Sequence, residues 1–140
     1  MELTTQRAQC VKRHKRKKII MDKIQIRPKI SSSLNKDMKP DEMFQNTSIR
    51  PVVKLQHEII FMRLSKTLTK TDFTNLSETQ KKIFIQTVLF KNIALRNEII
   101  GIISGCFTND EYDYFIANYT DINKRIIKII IERIVSTLKI

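Results

Sequence analysis

Glycine is scarce in this sequence, and long apolar runs are absent. Gly101 and Gly105 are the two glycines in 140 residues, too few for the turns of repeated β-hairpins. A charged residue interrupts every apolar run well before the roughly twenty residues that a membrane span needs. Asp22 follows Ile19, Ile20 and Met21 at once, which leaves no apolar core for a signal peptide. We therefore expect no transmembrane segment, and cytoplasmic localisation is the default.

Cysteine and histidine are also too few to predict a metal or catalytic site. Cys10 and Cys106 form no CxxC pair and have no histidine nearby, so both are expected to be free thiols, with Cys106 buried. His14 lies among basic residues. His57 is adjacent to Glu58, and on a helix the two side chains point about 100° apart. The sequence therefore predicts no catalytic residue, no metal site and no cofactor.

Basic charge is plentiful, and most of it lies near the N-terminus. The net charge is +12, and residues 1–39 hold twelve Lys and Arg against three acids, a net of +9. The densest cluster consists of Lys12, Arg13, Lys15, Arg16, Lys17 and Lys18. Such a cluster can bind phosphate backbones without sequence specificity, but it has no aromatic residues for base stacking. We predict a basic, flexible arm over residues 1–39 and a helical domain over residues 40–140.

The arm itself divides at Met21, a second possible start. Residues 1–20 are either a targeting or binding arm or an upstream extension produced by a misplaced start codon. After them, Ile24, Ile26 and Ile30 alternate with polar residues, which predicts an extended segment against the body. Serines at 31–33 predict a flexible link.

From Pro40 onwards, apolar residues recur at spacings of three and four, which predicts an all-α fold. The expected architecture is a compact bundle of about five helices. They are predicted to begin at Pro51, Ser77, Asn92, Thr108 and Asp121, after a short turn capped by Asp41. The first of them is expected to run to about Leu68.

Two helix starts carry the capping-box pattern, in which a hydroxyl and a side chain three residues later satisfy each other's backbone N–H groups. These are Ser77 with Gln80 and Thr108 with Glu111. Gly105 is predicted to close the preceding helix in a left-handed conformation.

Apolar side chains around these helix ends complete the predicted core. Phe107 and Tyr112 occupy the positions of a hydrophobic staple. Ile59, Met62 and Ile83 are assigned to core faces. The last helix is expected to contribute Ile122, Ile126, Ile129, Ile130, Ile134 and Leu138.

Seven polar residues interrupt apolar helices or their caps. They are Arg50, Lys54, Gln56, Arg96, Asn97, Asn123 and Arg125. If several converge, they form a pocket for an anion or a polar ligand between helices. The alternative is that they occupy solvated faces and form hydrogen bonds between helices.

Five stretches of the sequence form a recognisable set: residues 41–46, 49–56, 95–105, 107–112 and 123–133. Together they resemble a small uncharacterised family of the Bacteroidetes lineage, whose members are often labelled glyoxalase. The resemblance covers about residues 21–140 and leaves residues 1–20 without a counterpart, which favours the misplaced start. The label implies an enzyme. Metal-dependent glyoxalases, however, use His and Glu ligands on paired βαβββ units, and the body of this chain has only His57.

The leading functional hypothesis is a non-enzymatic module that associates with nucleic acid or a ribonucleoprotein. The basic arm would supply diffuse attraction, with Arg50, Lys54, Arg96, Arg125 and Lys128 contributing from the body. The alternative is a homo-oligomeric or protein-interaction module that uses surplus isoleucine on the last helix. A glyoxalase-like enzyme is the third hypothesis.

Overall fold

Every regular element is helical in the residues that the computed structural model describes, which are 22–30, 37–68 and 75–137. From Pro40 onwards, the described residues form seven α-helices. They are α1 (Pro40–Phe44), α2 (Arg50–Leu55), α3 (His57–Leu68), α4 (Glu78–Lys91), α5 (Ile93–Ser104), α6 (Asn109–Ala117) and α7 (Tyr119–Thr137). A π-helical segment, Gln45–Ile49, joins α1 to α2. The all-α prediction is confirmed, but seven helices replace the predicted five.

The predicted helix over residues 51–68 begins earlier and is interrupted. The chain is already helical from Pro40, and the N–H of Arg50 donates to the carbonyl of Gln45 in the wide π turn. Pro51 has no N–H and its ring crowds the preceding turn of a regular helix, so a widened turn accommodates it. Gln56, with ψ near 11°, then separates α2 from α3.

The helix ends confirm some predicted caps and correct others. Both capping boxes are present, at Ser77 and at Thr108, and the Asn92 side chain accepts from the N–H of Leu95. Asp41 and Asp121 are not caps. Each lies inside the first turn of its helix, where a carboxylate also interacts favourably with the helix dipole.

Gly105 does not adopt the predicted left-handed conformation. Its φ is −63°, and its N–H donates to the carbonyl of Gly101 at 2.9 Å. A Cβ at this position would lie 3.1 Å from the same carbonyl oxygen. A side chain here would therefore require the backbone to shift by a few tenths of an ångström.

Helix α7 is the central element of the core. It packs against α2, the π segment, α4, α5 and α6. Its buried side chains are Ile122, Ile126, Ile129, Ile130, Ile131 and Ile134. Because the domain itself covers these isoleucines, they are not surplus apolar surface for a partner.

Three residues predicted for the core are instead exposed. Ile59 is 53% exposed, Met62 is 62% exposed and Ile83 is 56% exposed. Residues one turn or less away fill the core in their place, including Ile60, Leu64 and Ile85. The apolar stripes on the surfaces of α3 and α4 are therefore wider than the parts of these helices that pack into the core.

Aromatic rings close the end of the core near α6. Phe107 packs edge-on against Phe44 and Phe115, with ring centroids 5.4 and 5.8 Å apart. Tyr112, the other member of the predicted staple, lies 5.7 Å from Phe115 and remains 45% exposed. Phe107 and Tyr112 therefore both pack on Phe115.

The segment before the domain is attached to it, as expected, but it begins as a helical turn rather than extended chain. Residues 22–25 are helical, and the N–H of Ile26 donates to the carbonyl of Asp22. Arg27 donates to both carboxylate oxygens of Glu111 at 2.7 and 2.9 Å and to the carbonyl of Cys106 at 2.8 Å. Lys23 donates to the carbonyl of Phe107 at 2.8 Å.

None of the helices in the described ranges is long and apolar enough to cross a membrane.

Candidate nucleic-acid interface

A groove of about 560 Å³ lies between α4, α5 and α7 and is called here the α4–α7 groove. Its apolar lining comes from Ile100, Ile127 and Ile131, which are buried or half-buried. Its polar lining comes from Lys82, Gln86, Arg96, Asn97, Tyr119, Thr120, Asn123, Lys124, Lys128 and Glu132. The groove therefore has an apolar floor and a polar, largely basic rim.

The amphipathic pattern of α7 explains why the cations line one side of this groove. Lys124, Lys128 and Glu132 recur at intervals of four residues and form one exposed ridge. Two isoleucines of the same helix, Ile127 and Ile131, lie in the floor of the groove. The others point away from it and fill the core. Lys82 and Arg96 reach the groove from α4 and α5, the two helices that pack against α7.

The charge of the groove is positive and locally uncompensated. Lys82, Arg96, Lys124 and Lys128 form no ion pair with any residue in the described part of the chain. Glu132 is the single carboxylate in the groove lining. Four cations against one acid attract anions, and low-dielectric walls strengthen that field.

Two uncharged side chains add binding capacity. Tyr119 is 49% exposed at the rim, and its ring centroid lies 5.3 Å from that of Phe115. Asn123 has a buried amide oxygen without a hydrogen-bond partner in the described residues. Such an unpaired buried acceptor costs about 1–3 kcal/mol.

The seven polar residues predicted to form one pocket do not all meet. Arg96, Asn97 and Asn123 line the α4–α7 groove together. Gln56 donates to the sulfur of Cys106 at 3.1 Å, and Arg125 donates to the Gln45 side chain at 2.9 Å. These last two are hydrogen bonds between distant parts of the chain, which is the alternative interpretation of the pattern.

Cys106 is a free thiol but only half-buried, not buried as expected.

The two remaining predicted residues, Arg50 and Lys54, line a separate space of about 550 Å³, the α2–α7 pocket. The other side chains around it are Ile30, Val53, Ile129, Glu132, Arg133, Ser136 and Thr137. Nε of Arg133 donates a hydrogen bond to Nδ1 of His57 at 3.0 Å. That nitrogen therefore carries no proton, and the imidazole ring is neutral. Burial, and then the charge of Arg133, lower the pKa of His57, while Glu58 raises it.

The basic cluster at residues 12–18 lies outside the described residues. Four residues of the body that line these two spaces were not predicted as site residues: Lys82, Tyr119, Lys124 and Arg133. The spacing of four between Lys124 and Lys128 was the available signal for a cationic ridge on α7. No comparable signal in the sequence joins Lys82 to that ridge, because helix packing alone brings α4 beside α7.

Within the described ranges, no group of three or more His, Cys, Asp or Glu side chains has a metal-binding arrangement. No family model matches this chain, no curated protein is significantly similar to it, and no solved structure matches it. The resemblance to the glyoxalase-labelled family therefore stays a prediction.

Proposed function

We propose that the protein binds single-stranded nucleic acid through the α4–α7 groove, as a non-enzymatic module. The observation that carries the proposal is the convergence of Lys82, Arg96, Lys124 and Lys128 on one groove without ion-pair partners. Phosphate neutralisation by such side chains supplies most of the affinity in sequence-independent binding.

The shape of the charged surface favours a chain of phosphates over a single small anion. Lys124 and Lys128 are about 6 Å apart along α7, and Lys82 and Arg96 lie on other helices. A row of spaced cations matches a repeating backbone charge.

Tyr119 favours a single strand over a duplex. An exposed aromatic ring beside a cationic groove is a stacking platform for an unpaired base, worth about 1–3 kcal/mol per base. The bases of a duplex are already stacked on each other and do not offer a free face to this ring.

The test is fluorescence anisotropy with a labelled oligothymidine strand, using the full chain over a series of salt concentrations. Lys82→Gln combined with Arg96→Gln removes two groove cations. The control, Lys39→Gln with Lys91→Gln, removes two exposed cations that do not line the groove. We expect the groove variant to bind at least about tenfold more weakly, since a hydrogen bond to a charged group is worth about 1.5–3 kcal/mol.

The salt dependence gives a second readout. Loss of two phosphate contacts should make the slope of log K against log salt shallower by about 1.4. Equal affinities and slopes for the groove variant and its control contradict the proposal, as does undetectable binding of the unmodified chain at low salt.

Neutralising the arm separates its contribution from that of the groove. Replacing all six cations of the 12–18 cluster with glutamine in the full chain should weaken binding to every sequence alike. The difference between the groove variant and its control should persist in that background.

Self-association is the second candidate function, and it rests on a different surface. Ile83 and Phe90 lie two turns apart on one face of α4, where they are 56% and 76% exposed, and Ile93 beyond the bend is 58% exposed. A second copy of the chain would cover these side chains. Light scattering should then give a dimer mass that Phe90→Ser reduces to that of a monomer, and a monomer in the unmodified chain removes this candidate.

A further inference from the structure

We infer that the α2–α7 pocket is a second phosphate site, and that a bound strand passes from the α4–α7 groove across Glu132 into it. This inference rests on the proposed function. It adds a site on the other side of α7 and predicts which strands can reach it.

The cations of the pocket are arranged for an anion. Arg50, Lys54 and Arg133 line it against the single carboxylate of Glu132. None of the three cations forms an ion pair with any described residue. The lining of the pocket thus carries a net charge of 3 − 1 = +2, of the same sign as the 4 − 1 = +3 of the groove.

The two arginines are oriented by uncharged partners. Nε of Arg133 donates to Nδ1 of His57 at 3.0 Å, and Nε of Arg50 donates to the side-chain oxygen of Asn46 at 3.1 Å. These bonds use one donor of each guanidinium and neutralise neither. Because a guanidinium fork matches phosphate oxygens in pairs, the terminal nitrogens remain suited to a phosphate.

The pocket and the groove meet at one residue. Glu132 lines both spaces, because it lies on the ridge of α7 that separates them. From Lys124 in the groove to Arg133 in the pocket is nine residues, or about 14 Å along the helix. A strand within a duplex rises about 3.4 Å per nucleotide, and a single strand is more extended, so fewer than about four nucleotides span this distance.

Strand length therefore separates the two sites. A dinucleotide is too short to span this distance and occupies the groove alone, whereas a strand of about twelve nucleotides reaches both sites. Arg50→Gln with Arg133→Gln should leave short-strand affinity unchanged and weaken long-strand binding by about tenfold. The salt slope for the long strand should become shallower by about 1.4.

Lys54→Gln provides a second variant that does not depend on packing, because Lys54 is exposed. It should reproduce part of the loss with the long strand and none with the short one. Glu132→Gln should tighten long-strand binding, since a carboxylate at the junction repels the backbone, while Glu42→Gln at an exposed position elsewhere should not.

The experiment is an anisotropy titration of each full-length variant with oligothymidine strands of both lengths. Circular dichroism of each variant verifies the fold. Long-strand affinity of the Arg50/Arg133 and Lys54 variants equal to that of the Lys39/Lys91 control overturns the second site. If the Lys82/Arg96 variant still binds both strands weakly, the groove proposal survives that result. If it too matches the control, the groove proposal fails independently.

Discussion

Tyr114 and Asp41 join α6 to α1 through a hydrogen bond that the phenol donates to the carboxylate. Burial first, and then the hydrogen bond and charge of Asp41, raise the pKa of Tyr114 to about 12. Asp41→Asn should therefore lower the pKa of Tyr114 towards its ordinary value of 10.0. Alkaline titration of tyrosinate absorbance measures it, with Tyr114→Phe identifying the transition. A pKa unchanged by Asp41→Asn would contradict the assigned cause.

Arg27 fastens the N-terminal segment to the domain. Its side chain is 7% exposed and pairs with Glu111, whose side chain is 17% exposed. Burial raises the pKa of Glu111, but hydrogen bonds led by that of Arg27 outweigh burial and lower it.

Arg27→Met should destabilise the fold by about 2–3 kcal/mol, because it leaves a largely buried carboxylate without its cation. Urea denaturation measures the change. Lys29→Met, at an exposed neighbouring position, should cost less than about 0.5 kcal/mol. Equal losses in the two variants would show that the pair does not fasten the segment.

At this scale, local patterns in the sequence predicted both capping boxes, because each needs only residues three apart. They did not predict the Arg27–Glu111 pair, whose members are 84 positions apart. The predicted left-handed conformation of Gly105 was wrong, because glycine permits a left-handed turn without requiring one.

At the scale of elements, the two capping boxes differ in burial. Thr108 is 5% exposed, whereas Ser77 is exposed, and each side chain accepts from the N–H three residues later. Thr108→Ala should cost about 1–2 kcal/mol and Ser77→Ala about 0.5–1 kcal/mol, because burial removes water as a replacement partner. Urea denaturation of both variants gives the comparison, and a larger loss for Ser77→Ala would contradict it.

Elements were predictable where apolar periodicity was strong. The isoleucines of α7 recur at helical spacing, and the structure buries the predicted positions from Ile122 to Ile134. The division into α1, the π segment, α2 and α3 was not predictable, since a π turn and the break at Gln56 leave the apolar periodicity nearly unchanged.

For the whole molecule, three groups with shifted pKa values determine how the free energy of unfolding depends on pH. The pKa of His57 is lowered in the folded protein, so on acidification His57 is protonated in the unfolded chain before it is protonated in the folded one. The free energy of unfolding should therefore fall as the pH drops below 6.5. The pKa of Glu111 is also lowered, so protonation of this carboxylate should reduce stability further as the pH drops below 4.5. Tyr114, raised to about 12, should cause loss as the pH rises above 10.0.

His57→Gln tests the first part of this profile, since glutamine keeps an acceptor for Arg133 but does not titrate. Urea denaturation between about pH 5 and 7 should show a shallower fall in the free energy of unfolding for this variant than for the unmodified chain. Parallel curves would remove His57 as the cause.

The candidate site was only partly predictable at this scale. Arg96, Asn97 and Asn123 were singled out as polar interruptions of apolar helices, and they do line one groove. The remaining four predicted residues lie elsewhere, because packing angles between helices, rather than residue type, decide which exposed faces meet.

The most direct test of the central claim is amide chemical-shift mapping by NMR as a single-stranded oligothymidine is added to the full chain at low salt. If the strand binds in the groove, the largest shifts should fall on the groove residues Lys82, Arg96, Asn97, Tyr119, Lys124 and Lys128. Shifts confined to residues outside the groove, or no shifts at all, would contradict it.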